Sequence, residues 1–421
     1  MKYKLVYLLI PLFFSCKSDE LDCCGQLLKK LPEINIETEN YQDIISKDDY
    51  ITGTFEFFSN DYEFENFSFP MKIRGRGNSS WNFPKKSYQF KFDDKYNLFD
   101  MPEDKKWLML ANYSDKTMIR NAIAFELGYL SSLDWSPGFH FAEVSINGES
   151  KGLYQFTEKV ETGDSNRVKI GDEGYLLEVD QLDRIDDDDI AFWTNKKILF
   201  VVKDPDLEWG SVELEEIESY INETENILYG DTFKDPDLGY SKYIDVDSFV
   251  DWYIINEISK NNDAIFLSSV YMNYVSGEKL KMGPIWDFNL GFGNVNYCDG
   301  ELTSGWSYKF NDICGGDNWK VPFWWNRLFE DPAFVTKLKN RWSDLRTNIL
   351  SDQNLQDRIE KITNFLIENN APRRNFDKWS ILGKYVWPNN YIGNNYTEEI
   401  SYLKNWITKR VKWMDEAINS I

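Results

Sequence analysis

The run Met71-Lys-Ile-Arg74-Gly75-Arg76-Gly77-Asn78-Ser79-Ser80-Trp81 carries a strand into a turn of glycine, serine and arginine, and Pro84-Lys85-Lys86-Ser87-Tyr88-Gln89-Phe90-Lys91-Phe92 then alternates strictly. A period of two places Lys86, Tyr88, Phe90 and Phe92 on one face, so Lys86 is expected to point inward with the apolar set while Lys91 meets water. A lysine turned toward a covered face needs an anion. Glycines at 75 and 77 let backbone N–H groups approach a phosphate closely, Asn78, Ser79 and Ser80 add short donors, and Arg74 and Arg76 supply charge. The spacing is neither GxGxxG nor the P-loop, and a tight hairpin with solvated arginines is the other reading.

Working outward, Leu31–Thr38 and Tyr50–Phe57 also alternate as half-buried strands do. After Trp107-Leu-Met-Leu-Ala, residues Asp115 to Gly128 predict a helix closed by a glycine, with Ile119, Ile123 and Glu126 on one face. Phe141–Ile146 and Lys151–Val160, joined by Asn147-Gly148, predict a hairpin. Gly-rich turn, strand with an inward lysine, helix with an inward glutamate, then two strands is the element order of a kinase small lobe.

The second half supplies acids. Ser259-Lys-Asn-Asn-Asp263-Ala ends a predicted helix beginning near Val246, and Lys281-Met-Gly-Pro-Ile-Trp-Asp287-Phe-Asn289 ends an apolar run before a glycine-spaced turn. Two acids so placed can hold a divalent metal and handle phosphate chemistry, although an Asp after a strand is also an ordinary turn residue. Asn273 is a further candidate metal ligand. Residues 163–245 read as an insertion or lobe connector holding strand-like Tyr175–Asp180 and Lys197–Val202, which flank the acidic run Asp186–Asp189. That run lacks EF-hand spacing and reads as a solvated loop. Segments 322–329, 334–350, 354–368 and 398–418 show helical periodicity.

Composition bounds the class. The 421 residues carry a formal charge of −23, which excludes nucleic acid as a partner and suits a basic protein substrate or simple solubility. One histidine, His140, reads as a strand residue, and its solitude removes His-rich zinc sites and nearly every Ser-His-Asp hydrolase. The 16 Trp, 24 Tyr and 29 Phe can form a glycan-binding surface, but most are expected in the core. Met1–Cys16 has a basic start and a short apolar run, too short to span a bilayer. Its Ser15-Cys16 end resembles the lipobox of bacterial lipoproteins, which implies lipidation of Cys16, attachment to the membrane by that lipid alone, and display at the outer membrane or cell surface. Cys298 and Cys314 are close enough to close one loop in an oxidising compartment.

Arg74-Gly-Arg-Gly-Asn-Ser-Ser-Trp, Pro84-Lys-Lys-Ser-Tyr, Ile119-Arg-Asn-Ala, Gly152-Leu-Tyr-Gln-Phe-Thr-Glu158, Asn262-Asp263 and Pro284-Ile-Trp-Asp287-Phe-Asn together resemble the spore coat protein H (CotH) kinase family. The resemblance implies an α+β, atypical protein-kinase-like fold of two lobes, β-rich then mainly helical. It also implies transfer of the ATP γ-phosphate, with Mg²⁺ or Mn²⁺, to Ser or Thr of a secreted or surface protein. Carried over, Asp263 looks like the catalytic acid and Asp287 the metal-binding acid, with the 74–80 turn and Lys86 as phosphate grip. Glu158 matches a motif position of the family, Glu126 is suggested by helix geometry alone, and either can pair with Lys86. The expected divisions are a signal peptide over 1–16, a tether over 17–30, a nucleotide-binding lobe over 31–162 and a larger lobe over 163–421. A catalytically decayed surface binding module, or a nucleotide-dependent transferase of another group, fits the same motifs. Departures stand beside the resemblance: Asn-Asn precedes Asp263, and Asn289 replaces the glycine that follows Asp-Phe in ordinary kinases.

Overall fold

The computed structural model describes residues 30–59, 65–163, 167–315 and 321–421; the expected export signal and Cys16 lie outside these residues. Seven strands, β1 (Glu33–Thr38), β2 (Ile51–Phe58), β3 (Phe67–Arg76), β4 (Ser87–Tyr96), β5 (Asp104–Leu110), β6 (Phe139–Ile146) and β7 (Glu149–Glu158), close into a barrel in the order β1-β2-β3-β4-β5-β7-β6. Neighbours are antiparallel except at the parallel β1–β6 seam. Alternation drives this closure. One face of each strand supplies Ile36, Phe55, Ile73, Phe90, Trp107 and Phe156 to a packed aromatic interior, and closing the sheet leaves no exposed edge. A kinase-like small lobe was the expectation here; what forms is a closed seven-stranded barrel.

The interior also decides which side of β4 can meet a ligand. Tyr88, Phe90 and Phe92 fill the barrel, so the outward face carries Ser87 and Gln89, in register with Arg76 and Arg74 of β3. The cleft lies on that outer face.

Helix α1 (Arg120–Tyr129) packs on the outer face of the barrel beside the cleft, which its Asn121 and Phe125 help to line, and starts later than the sequence suggests. Residues 115–119 instead form a capping turn. The Asp115 carboxylate accepts the N–H groups of Thr117 at 3.0 Å and Arg120 at 2.9 Å and pairs with the buried Arg120 guanidinium.

A second sheet, β8 (Gly174–Val179), β9 (Ile190–Trp193), β10 (Leu199–Asp204), β11 (Val270–Val275) and β12 (Lys281–Met282), runs β12-β11-β8-β10-β9. The supposed connector therefore supplies its central strand: β8 pairs with β11, which follows Asp263 in the chain. Around it pack α2 (Val212–Tyr229), α3 (Val246–Ser259), α4 (Phe310–Ile313), α5 (Trp324–Phe329), α6 (Pro332–Thr347), α7 (Asp352–Glu368), α8 (Ala371–Lys378) and α9 (Tyr396–Asn419). Ser211, Asp245, Ser351 and Asn395 cap α2, α3, α7 and α9 through their side chains. The division into a β-rich N-terminal part and a helical C-terminal part is that expected for an α+β chain. The wholly buried Arg410 of α9 pairs with Glu257 of α3 at 2.9 Å, and Glu257 also accepts the N–H groups of Ser307 and Tyr308. Each buried charge there has its partners, so the pair fixes the end of α3 without leaving an orphan. That end is where the site begins.

Candidate active site

Helix α3 stops at Lys260, whose left-handed φ of +44° turns the chain. Its ammonium donates to the carbonyls of Asp299 and Ser304 at 2.6 and 2.7 Å. Three residues on, Asp263 enters the cleft. Burial raises its pKa, and the Arg184 guanidinium, 3.9 Å away, opposes the rise. Asp287 reaches the same cleft from the far side, just after β12, with a φ of +62° that few non-glycine residues adopt. Burial, then the charge of Asp263, pushes the Asp287 carboxyl up to about 6, while Arg76 and Arg184 hold it down.

Two further acids stand on or beside β8. Glu178 is pushed up to about 7 by burial and then by Asp180, against Lys203 at 3.8 Å. Asp180 is pushed up to about 6 by burial, opposed by the Gln181 N–H and by Arg184. In the sequence both lie within strand-like Tyr175–Asp180, to which no site role attaches. A signal was present, because acids two apart at the end of an apolar strand share one face. Arg184 and Lys203, equally unforeseen, answer this charge: Arg184 also donates to Ser268 Oγ at 2.7 Å, and Lys203 pairs with Asp189 of the acidic run at 3.3 Å.

The 74–80 turn faces these acids across the cleft, and all seven residues line it. Arg76 lies over the Trp286 ring, 5.4 Å from its centre, within the field of Asp287. Arg74 instead lies over Tyr50. Gly77 has a φ of +97°, as a tight turn requires, whereas Gly75 is small for a packing reason: a Cβ there would overlap the Trp81 ring.

Lys86 is not part of this grip. It is half-buried, donates to the Trp81 carbonyl and sits over that ring, and it does not line the cleft. Parity explains the difference, since the inward face of β4 looks into the barrel rather than the cleft. Neighbouring Lys85 lines the cavity, is buried, and donates to the Leu153 carbonyl and to Asn375 Oδ1; desolvation drops its pKa to about 7. Neither candidate glutamate pairs with Lys86. Glu126 pairs with Arg358 of α7. Glu158 accepts the Gly138 N–H at 2.8 Å and is pushed up to about 7 by burial. Asn273 is buried, donates toward the Gly283 carbonyl at 3.5 Å and lies outside the cleft lining. Cys298 and Cys314 form a disulfide, with Cα atoms 5.2 Å apart.

The cleft between turn and acids holds a cavity of about 350 Å³. It adjoins a larger one of about 1220 Å³, sharing Arg74, Arg76, Gln89, Glu178, Lys203 and Tyr271 with it. The larger space reaches the segment Lys159–Gly163, where the chain leaves the barrel, and is walled by Leu108, Val160, Ile170 and Trp286. Charged side chains, among them Lys95, Asp104, Lys105, Lys106 and Asp206, make up most of the remaining wall, and a cation-bearing hollow of this kind can take a phosphorylated ligand.

The chain matches the family model described as CotH kinase protein over residues 73–414, and it belongs to that family. No curated protein matches it. Membership carries a kinase-like function and the use of a nucleotide.

Proposed function

We propose that this CotH-family chain is an atypical two-lobe protein kinase that moves the γ-phosphate of ATP to a Ser or Thr hydroxyl of an exported or surface protein. The observation that carries this reading is the meeting of Asp263 and Asp287 in one cleft opposite the arginine-bearing 74–80 turn. In it, the barrel is the first lobe, Lys159–Gly163 the crossover, and the larger cavity the seat of the nucleotide base.

The residues fit a hard divalent cation. Burial first, and neighbouring carboxylates after it, raise the pKa values of Asp287 and Asp180, and oxygen donors so placed suit Mg²⁺ or Mn²⁺. Among the described residues no three acids, His or Cys form a ready cage. Mg²⁺ is commonly held by one or two carboxylates with phosphate oxygens and waters, and Asp287 beside Asp263 or Asp180 supplies that share. When bound, the metal neutralises charge on the β and γ phosphates.

Asp263 orients the acceptor hydroxyl and takes its proton as the new O–P bond forms and the bond to the ADP oxygen breaks. Arg184 favours the charged form of Asp263 against its burial, and Arg76 meets phosphate charge from the opposite wall. The charge of −23 and Asp186 of the acidic run, which lines the cleft, favour a basic acceptor segment. The lipobox-like N-terminus and the Cys298–Cys314 disulfide support an exported, lipid-tethered location.

The test is incubation of the purified protein with ATP, Mg²⁺ or Mn²⁺ and a basic Ser/Thr peptide, read by mass spectrometry. Phosphate addition is expected, and Asp263→Asn should lose it by roughly 10²- to 10⁴-fold while keeping the nucleotide-dependent thermal shift. Addition of AMP or another group would reassign the enzyme. The absence of any shift with nucleotide under either metal would point to a binding module.

A further inference from the structure

Asp287 holds its left-handed φ of +62° only because something outside it imposes that conformation. The peptide that follows it is gripped on both sides by buried asparagines. Asn121, in the first turn of α1, accepts the Phe288 N–H through Oδ1 at 2.7 Å. From the opposite wall, Asn261 donates its Nδ2 to the Asp287 carbonyl at 2.9 Å, and its Oδ1 faces the Asp263 N–H at 3.4 Å. One side chain therefore touches the backbone of both acids. Asn121 and Asn261 are 3% and 0% exposed, so water cannot substitute for either bond.

Both asparagines are themselves anchored. Asn121 donates to Asn112 at 3.1 Å, and Asn112 donates to Gln155 of β7 at 2.9 Å, which ties the grip to the barrel. Asn261 lies between Lys260 and Asn262, whose side chains are fixed on carbonyls of the 297–304 loop closed by the disulfide. The grip thus joins barrel, α1 and helical part at the one peptide that orients Asp287.

We propose that Asn121 and Asn261 are positioning residues that clamp the Asp287–Phe288 peptide, turn the Asp287 carboxylate into the cleft and set its placement against Asp263. The inference rests on the kinase reading above. Toward the clamped peptide Asn121 meets a donor and Asn261 an acceptor, so an aspartate at 121 keeps the bond to the Phe288 N–H and loses only the one to Asn112, whereas at 261 it loses the bond to the Asp287 carbonyl itself.

Full-length Asn121→Asp, Asn121→Leu, Asn261→Asp and Asn261→Ala variants test this by steady-state kinetics and by hydrogen exchange at the Phe288 amide. Asn121→Leu and both Asn261 variants should lose kcat roughly 10- to 100-fold with KM for nucleotide little changed, as expected for an ångström-scale misplacement of a reacting group. Asn121→Asp, which keeps the acceptor for the Phe288 N–H and forfeits the bond to Asn112, should retain clearly more kcat than Asn121→Leu, which a packing role alone would not produce. The Phe288 amide should be protected in wild type and Asn121→Asp and open in Asn121→Leu, whether or not the preparation is active. Equal responses of the two Asn121 variants, wild-type kcat in Asn261→Asp, or an unprotected Phe288 amide in wild type overturns the clamp. A wild type with a protected Phe288 amide that transfers no phosphate overturns the kinase reading instead.

Discussion

Replacing Asp287 by Asn should stabilise the metal-free protein while abolishing its chemistry. Asn keeps the size of the side chain and tolerates a positive φ, so neither packing nor backbone changes much. What disappears is a charge that burial and Asp263 disfavour, enough to lift the carboxyl from 3.8 to about 6. Two units correspond to about 3 kcal/mol as an upper bound, and solvent screening in an open cleft reduces this to about 1–2 kcal/mol. The sign follows from proton counting. With the folded pKa above the unfolded one, the native state binds more protons between the two values, so wild type loses stability as pH rises from about 4 to about 6. Above that window the loss is complete. Urea unfolding of both proteins in chelator should therefore show a gap in favour of Asp287→Asn at pH 7.5 that narrows through pH 5 and is nearly gone at pH 4. Comparing the two proteins at each pH cancels Glu158, which titrates with the same sign and whose shift owes nothing to Asp287. Added Mn²⁺ with ADP should stabilise wild type and not the variant. A variant less stable than wild type at pH 7.5, or a gap independent of pH, would refute the electrostatic account of this cleft.

Removing Arg76 by Ala takes away a cation that lowers the Asp287 pKa, so the acidic limb of the pH–rate profile should move to higher pH and nucleotide affinity should fall; an unshifted limb counts against their coupling. Lys86→Ala should leave nucleotide affinity by calorimetry within about two-fold, because a half-buried lysine bonded to the Trp81 carbonyl and outside the cleft lining contributes little to the cleft. Lys85→Met should instead cost about 1–3 kcal/mol in urea unfolding by removing a buried donor from the Leu153 carbonyl and from Asn375 Oδ1. Reduction of Cys298–Cys314, which spans 16 residues, should lower stability by about 3 kcal/mol on a loop-closure estimate and reduce kcat, since Lys260 and Asn262 are seated on that loop; unchanged kcat after verified reduction would separate loop from site.

Much of the architecture was legible along the chain. Strict alternation in Tyr88–Phe92 and the Asn147-Gly148 turn set strands and hairpin, because a pleated strand with one covered face permits little else. Helices α6, α7 and α9 were legible in apolar spacing alone, and α3 in the helix expected from about Val246. Helix α1 was misread by one turn because Asp115 caps it through a side chain five residues ahead of Arg120, a contact periodicity does not encode. The closed barrel was not legible at all, since alternation says that a face is covered and not by what.

The same limit divides the site. Residue chemistry and order alone marked Asp263, Asp287 and the 74–80 turn, because an isolated acid ending an apolar segment and a glycine-arginine turn are local signals. Only the tertiary structure chose Lys85 over Lys86 for the cavity wall, parted Glu126 and Glu158 from any lysine of the grip, and drew Glu178, Asp180 and Arg184 into the cleft. Those outcomes depend on which face of the barrel points outward and which strand lies beside β11. Burial, and with it the charge state of every acid here, is a property of packing across the chain and not of spacing along it.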